Sequence, residues 1–82
     1  MRALDVNEHL NPALVRVRAV EDGVPVGAGL LFRAGQVITC AHVVNSALGR
    51  APGAVDRPDG PVPVDFPFSA RPRRLSARVV RW

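Results

Sequence analysis

One histidine stands where an apolar stretch of this sequence ends, and its surroundings are those that a general base requires. His42 follows Val37-Ile-Thr-Cys-Ala41, and Val43 and Val44 come directly after it. A general base must keep one rotamer and one tautomer, so the end of a strand fixed in a core suits it. The pattern therefore marks His42 as a candidate catalytic base at the end of a buried strand, with its ring only partly exposed. The alternative is a histidine that only caps a strand and binds a backbone carbonyl.

A second apolar segment precedes this one and is predicted to position it. Gly27-Ala-Gly-Leu-Leu-Phe32 reads as a strand, and Arg33-Ala-Gly-Gln36 is a tight connection to the strand before the histidine. In an extended chain Gly27 and Gly29 fall on one face, where a neighbouring strand or helix can approach closely. The opposite face is shared by Val26, Ala28, Leu30 and Phe32.

Together these segments give the pattern G-x-G-(apolar)3, turn, apolar-I-T-x-A-H-V-V. It resembles the segment around the catalytic histidine of trypsin-like (chymotrypsin-fold) serine peptidases, in which a G-S-G strand precedes a T-A-A-H motif. The resemblance covers roughly residues 13–82, and its specific part is Gly27–Val44. It implies an all-β, antiparallel, partial N-terminal barrel with a short helical turn after His42. It also implies peptide-bond hydrolysis with His42 as general base and without a cofactor or metal.

Acyl transfer by this route needs a nucleophile, an orienting acid and an oxyanion hole besides the base. The resemblance implies an acid on a later stretch and a nucleophile in a G-x-S-G-like loop of a second barrel, and the sequence contains neither motif. The serines without that glycine frame are Ser46, Ser69 and Ser76. We therefore interpret the chain as a truncated or partial peptidase that is inactive by itself, acting on a peptide or protein substrate in its full-length form.

Three aspartates are the candidates to orient the histidine: Asp56, Asp59 and Asp65. A triad needs a buried carboxylate beside the far nitrogen of the imidazole. Of the three, Asp65 alone stands between apolar residues, Val64 and Phe66. Strand alternation turns Asp65 away from those two side chains, so we do not name it catalytic.

The rest of the sequence predicts an antiparallel β fold without a long helix. Residues 1–12 are a polar lead-in, and 13–82 form the incomplete barrel. In the first predicted strand, Val15, Val17 and Ala19 alternate with Arg16 and Arg18, which indicates a half-buried strand. Gly49 is placed to end the helical turn Ala41–Leu48. The predicted strands are Ala13–Val20, Val26–Arg33, Gln36–Cys40, Val62–Phe68 as an edge strand containing two prolines, and Leu75–Trp82.

The length of the chain and its cysteine content limit the number of domains and the cellular compartment that we expect. With 82 residues the chain is at most one small domain, and its single Cys40, expected to be buried, cannot form an internal disulfide. An unpaired cysteine favours a reducing compartment. Secreted peptidases of the resembled family commonly carry a cysteine just after the histidine, where this chain has Val43. We therefore expect a cytoplasmic protein, with no export signal, membrane segment or metal site.

All eleven basic residues are arginine, which we attribute first to the codon bias of a GC-rich bacterial genome. The densest group is formed by Arg71, Arg73, Arg74, Arg78 and Arg81. These arginines keep an alternative open, a small Arg-rich β-barrel that binds nucleic acid or an acidic partner. A non-catalytic, peptidase-like interaction domain is the other alternative. We prefer solvated charge on a loop and an edge strand, so a nucleic-acid partner is not expected.

An incomplete barrel also has a physical consequence. Five short strands do not close a barrel, so an apolar face should stay uncovered and allow self-association. The apolar residues expected on that face are Phe66, Phe68, Val80 and Trp82.

Overall fold

The computed structural model describes residues 14–33, 35–69 and 74–82. They form an antiparallel sheet, curled into a half-barrel, with one short helix. This confirms the predicted antiparallel β architecture; the expected lead-in, residues 1–12, lies outside the described residues. The elements are β1 Leu14–Arg18, β2 Pro25–Arg33, β3 Gln36–Thr39, α1 Ala41–Ala47, β4 Val62–Asp65 and β5 Arg74–Ala77.

The strand order in the sheet is β3-β2-β1-β4-β5, with antiparallel pairing throughout. Three consecutive strands are followed by a long connection that returns β4 to the side of β1, which is a Greek key. Within the described part of the chain, β3 pairs only with β2, and β5 pairs only with β4. These two strands are therefore the edges of the curled sheet.

The core lies between the sheet and α1. Val15 and Val17 of β1 are almost fully buried, while Arg16 and Arg18 point to the other face, as the alternation predicted. The other buried apolar residues come from the helix and β4: Val43, Val44, Ala47, Val62 and Val64. Six of these seven buried apolar residues are valine, and the seventh is Ala47.

The glycine face of β2 is the face that meets the core. Gly27 lies against the helix and Gly29 against β3, whereas Ala28 and Phe32 on the other face are exposed. The prediction that Val26 shares this outer face is wrong. A register shift between Val17 and Arg18 interrupts the pairing beside Val26, which packs against the core instead.

The last two strands differ from their predicted positions. The segment Val62–Phe68 was expected at an edge, but β4 ends at Asp65 and lies between β1 and β5. An interior position is possible because the β1 partners are only Val64 and Asp65, so Pro63 is not needed as a donor there. The strand expected to reach Trp82 ends at Ala77.

Of five predictions about the exposure of single residues, three are confirmed and two are wrong. Phe68, Val80 and Trp82 are exposed as expected. Phe66 is half-buried, because it packs against the core cluster. Cys40 is also half-buried rather than buried, since it follows the edge strand β3 and precedes the exposed start of α1.

Candidate active site around His42

His42 is the second residue of α1, directly after the corner at which β3 turns into the helix. Cys40 occupies the N-cap with extended backbone, φ −83° and ψ 146°. Its carbonyl oxygen accepts hydrogen bonds from the amides of Val43 at 3.1 Å and Val44 at 3.3 Å. These bonds fix the first turn of the helix, so the backbone that carries His42 is held at a defined corner of the sheet.

The imidazole is more open than the sequence predicted. β3 is a half-buried edge strand rather than a buried one, and His42 is exposed. The physical reason is the orientation of α1, which turns Val43, Val44 and Ala47 inward. His42 and Ser46 are four residues apart, and both remain on the solvent side.

The two glycines of the G-x-G segment explain how the histidine corner is seated. A Cβ atom at Gly27 would lie 2.7 Å from both methyl groups of Val43, and one at Gly29 would lie 2.7 Å from the Ile38 carbonyl oxygen. The Thr39 hydroxyl donates to the carbonyl oxygen of Ala28 at 2.8 Å. The predicted close approach at the glycines is thus confirmed, and it brings both β3 and α1 against β2.

The far end of α1 is closed by a Schellman motif. Gly49 has φ +69°, and its amide donates a hydrogen bond to the backbone carbonyl oxygen of Ser46 at 3.2 Å. The amide of Arg50 donates to the backbone carbonyl oxygen of Asn45 at 2.8 Å. The predicted C-terminal role of Gly49 is therefore confirmed. The Val20 amide donates to the Ala47 carbonyl at 2.9 Å, which also ties the helix end to the segment after β1.

Asp65 lies on the face of the sheet that carries the β1 arginines, where it accepts hydrogen bonds from two of them. Arg16 donates through Nε at 3.0 Å and Nη2 at 2.8 Å, and Arg18 donates through Nε at 3.1 Å. The hydrogen bonds from Arg16, with smaller contributions from Arg18, lower the pKa of Asp65 although burial opposes this. Its carboxylate is therefore engaged by these two arginines.

The other candidate groups are also not joined to the histidine. Within the described ranges, no hydrogen bond links the His42 ring to a carboxylate or hydroxyl group. Asp56 is 84% exposed and pairs with Arg50 at 2.7 Å. Asp59 is exposed and lies in a surface cleft beside Arg57 and Arg78. Within the described residues, the structure therefore places His42 at the surface without bringing a carboxylate or a hydroxyl group to its ring.

The serines are placed separately. Ser46 is exposed on α1 and Ser76 is exposed on β5. Ser69 lies in the turn after β4, where its amide donates to the Phe66 carbonyl at 3.1 Å. Among the residues with described positions, no group of three metal-ligating side chains occurs. No helix in that part of the chain is long and apolar enough to cross a membrane.

Sequence reasoning missed one residue beside the histidine. Asn45 is only 1% exposed and lies three residues after His42 on α1. Its Nδ2 donates to the carbonyl oxygens of Pro52 at 3.1 Å and Ala54 at 3.2 Å. The sequence contained one indication of this role, an asparagine among the apolar residues of a short helix. A buried amide normally forms hydrogen bonds with specific partners.

Comparisons with protein families, with curated proteins and with solved structures found no match to this chain.

Proposed function

We propose that this chain supplies His42 as the general base of a trypsin-like serine peptidase. The nucleophile and the orienting acid would come from polypeptide outside these 82 residues. His42 would take the proton of the attacking hydroxyl and return it to the leaving amine, and the substrates would be peptides or proteins. The observation that carries the proposal is the exposed His42 on a fixed strand-to-helix corner, seated by Val43 against Gly27.

The corner meets two demands on a general base at once. Its backbone is fixed by the N-cap bonds to Val43 and Val44, and its imidazole is open to a second polypeptide. Neither ring nitrogen is hydrogen-bonded to a described residue, which leaves one for an acid and the other for a hydroxyl group. A histidine that only capped β3 would instead have its ring hydrogen-bonded to a backbone carbonyl.

The topology supports the same proposal. The sheet is a Greek key extended by β5, and its curl leaves β3 and β5 as the two edges. A further strand paired with both edges would close the half-barrel and remove its open backbone groups. The same strand would lie beside β3, the element that leads into His42.

The alternative of an Arg-rich binding module has less support. The guanidinium groups of Arg16, Arg18, Arg50 and Arg57 are hydrogen-bonded to carboxylate or carbonyl oxygens of the chain itself. Groups engaged in this way are not arranged to receive phosphates. Of the densest arginine group, Arg71 and Arg73 lie outside the described residues. Arg74, Arg78 and Arg81 are exposed, and Arg74 lies on the edge strand β5, as expected for solvated charge that discourages edge-to-edge pairing.

Active-site labelling of the polypeptide encoded by the whole uninterrupted reading frame tests the proposal. A fluorophosphonate probe should label one serine outside residues 1–82, identified by mass spectrometry of the labelled peptide. His42→Ala should slow labelling, while His9→Ala, a change of the other histidine, should not. A folded product without any labelling would favour the non-catalytic interaction domain. Labelling at Ser46, Ser69 or Ser76 would contradict the proposed source of the nucleophile.

A further inference from the structure

Asn45 connects the helix that carries His42 to the loop that follows it. Its side chain donates two hydrogen bonds, to the carbonyl oxygens of Pro52 and Ala54. Its backbone carbonyl oxygen accepts a hydrogen bond from the amide of Arg50. One buried residue therefore holds both the end of α1 and the chain beyond it. No other fully buried polar side chain occurs among the described residues.

The loop is itself tied to the rest of the molecule, so it can serve as a support. Arg50 pairs with Asp56 at 2.7 Å and lies over the ring of Trp82, 5.7 Å from the centroid. The indole of Trp82 donates to the Val55 carbonyl at 2.9 Å. Anchoring α1 to this loop therefore connects it to a segment with its own contacts.

A helix of seven residues depends on such support. Isolated helices shorter than about 12 residues are marginal in water, so contacts rather than helix propensity must fix the direction of α1. Val43 provides a contact on the sheet side, against Gly27, and Asn45 provides one on the loop side. A catalytic side chain must be held within about 0.5 Å of its working position.

We infer that Asn45 is a positioning residue for His42, acting through the direction of α1. This inference rests on the proposed function of His42. Asn45 does not touch the reacting atoms; it fixes the helix whose first turn presents the imidazole. Its loss should therefore reduce the rate of the chemical step more than it reduces substrate binding.

The chemistry of the contact makes the role specific to an amide. Both partners of Asn45 Nδ2 are carbonyl oxygens, so position 45 must supply a donor with two hydrogens. Its Oδ1 is buried and has no hydrogen-bond partner among the described residues. Asn45→Asp keeps the shape of the side chain but turns both contacts into repulsion between oxygens.

The first measurement is hydrogen exchange on the 82-residue chain, which needs no activity. Asn45→Asp should speed amide exchange in α1 and in residues 50–55 more than elsewhere. Val62→Ala is the matched control, since it removes buried methyl groups from β4 without touching the loop hydrogen bonds. Equal acceleration in the two variants, compared at equal thermal stability, would overturn the anchoring role.

The second measurement is peptide hydrolysis by the full reading-frame product, at a temperature where all variants are folded. Asn45→Asp should lower kcat by about 10- to 100-fold with KM changed less than about twofold, since a small misplacement of a catalytic group is costly. Val62→Ala should leave kcat near wild type. A kcat equally reduced in both variants would overturn the positioning role. Absence of hydrolysis by the wild type would remove the proposed function and the positioning role with it, while the exchange result would still decide the anchoring.

Discussion

Val43 of α1 lies directly over Gly27 of β2, so close that a Cβ atom at position 27 would fall 2.7 Å from both valine methyl groups. The first glycine of the G-x-G segment is thus required by packing, because any side chain there would push the helix away from the sheet. His42 precedes Val43, so this contact also sets how far the imidazole stands from the sheet. The glycine at position 27 therefore has a direct physical reason, the close approach of α1 to β2.

Gly27→Ala should destabilise the chain by about 1–3 kcal/mol, the usual cost of overpacking, as measured by urea denaturation. Gly53→Ala is the matched control, since a Cβ atom at Gly53 meets no atom within 4 Å and its φ is not positive. We expect that control to be near neutral or slightly stabilising.

A double-mutant cycle localises this effect. Val43→Ala removes the two methyl groups that a new Cβ atom would meet first. Gly27→Ala should therefore cost less in the Val43→Ala background than in the wild type, with a coupling energy of about 0.5–3 kcal/mol. Additive effects of the two changes would contradict the close contact.

Asp65→Asn should destabilise the chain at neutral pH, because it removes a 6% exposed carboxylate that accepts hydrogen bonds from Arg16 and Arg18. The expected loss is about 1.5–3 kcal/mol, the range for hydrogen bonds to a charged partner. Asp56→Asn is the control and should change stability little, because the Asp56 side chain, which pairs with Arg50, is 84% exposed.

The same pair gives a pH dependence with a defined sign. The pKa of Asp65 is lower in the folded chain than its ordinary value, which is about 3.9 in the unfolded chain. The stability that Asp65 contributes is therefore fully present when the pH is above that ordinary value. It is lost as the pH falls through the pKa that Asp65 has in the folded chain. Thermal melts from pH 7 to pH 2 should show the Asp65→Asn difference shrinking at the acid end. A difference that stays constant to pH 2 would show that the carboxylate charge is not its source.

The 82-residue chain should self-associate and should not cleave peptides or esters. Phe68 is 58% exposed and Val80 is 68% exposed, and both sheet edges are open within the described part of the chain. Light scattering over a dilution series should show the apparent molar mass decreasing as the protein is diluted. Phe68→Ser should weaken association with little loss of stability, because that side chain contributes little to the core. A monodisperse monomer at all concentrations would show that the open edges and apolar residues do not drive association.

Local patterns were enough to predict several parts of the structure. The alternation of Val15 and Val17 with arginines indicated the buried face of β1, and Gly49 indicated where α1 ends. Both are decided by neighbours within a few residues along the chain. The close approach at the glycine face of β2 could also be predicted. A residue without a side chain indicates a close approach whichever element of the fold makes it.

Features that depend on distant partners could not be predicted in this way. The interior position of β4 depends on its pairing with β1, some 47 residues away in the chain between Val17 and Val64. The role of Asn45 depends on two loop carbonyls, which no side-chain pattern reveals. The exposure of His42 depends on which face of α1 meets the sheet, and the apolar residues on both sides of the histidine did not decide that.

We propose His42 as a general base, and this role is tested by kcat/KM for peptide hydrolysis by the full reading-frame product and its His42→Ala variant. We predict that kcat/KM falls by about 10²- to 10⁴-fold in His42→Ala, since the loss of general-base catalysis has that size. The His9→Ala variant should keep the wild-type value. A His42→Ala variant that is folded and hydrolyses peptides at the wild-type rate would show that His42 is not the general base.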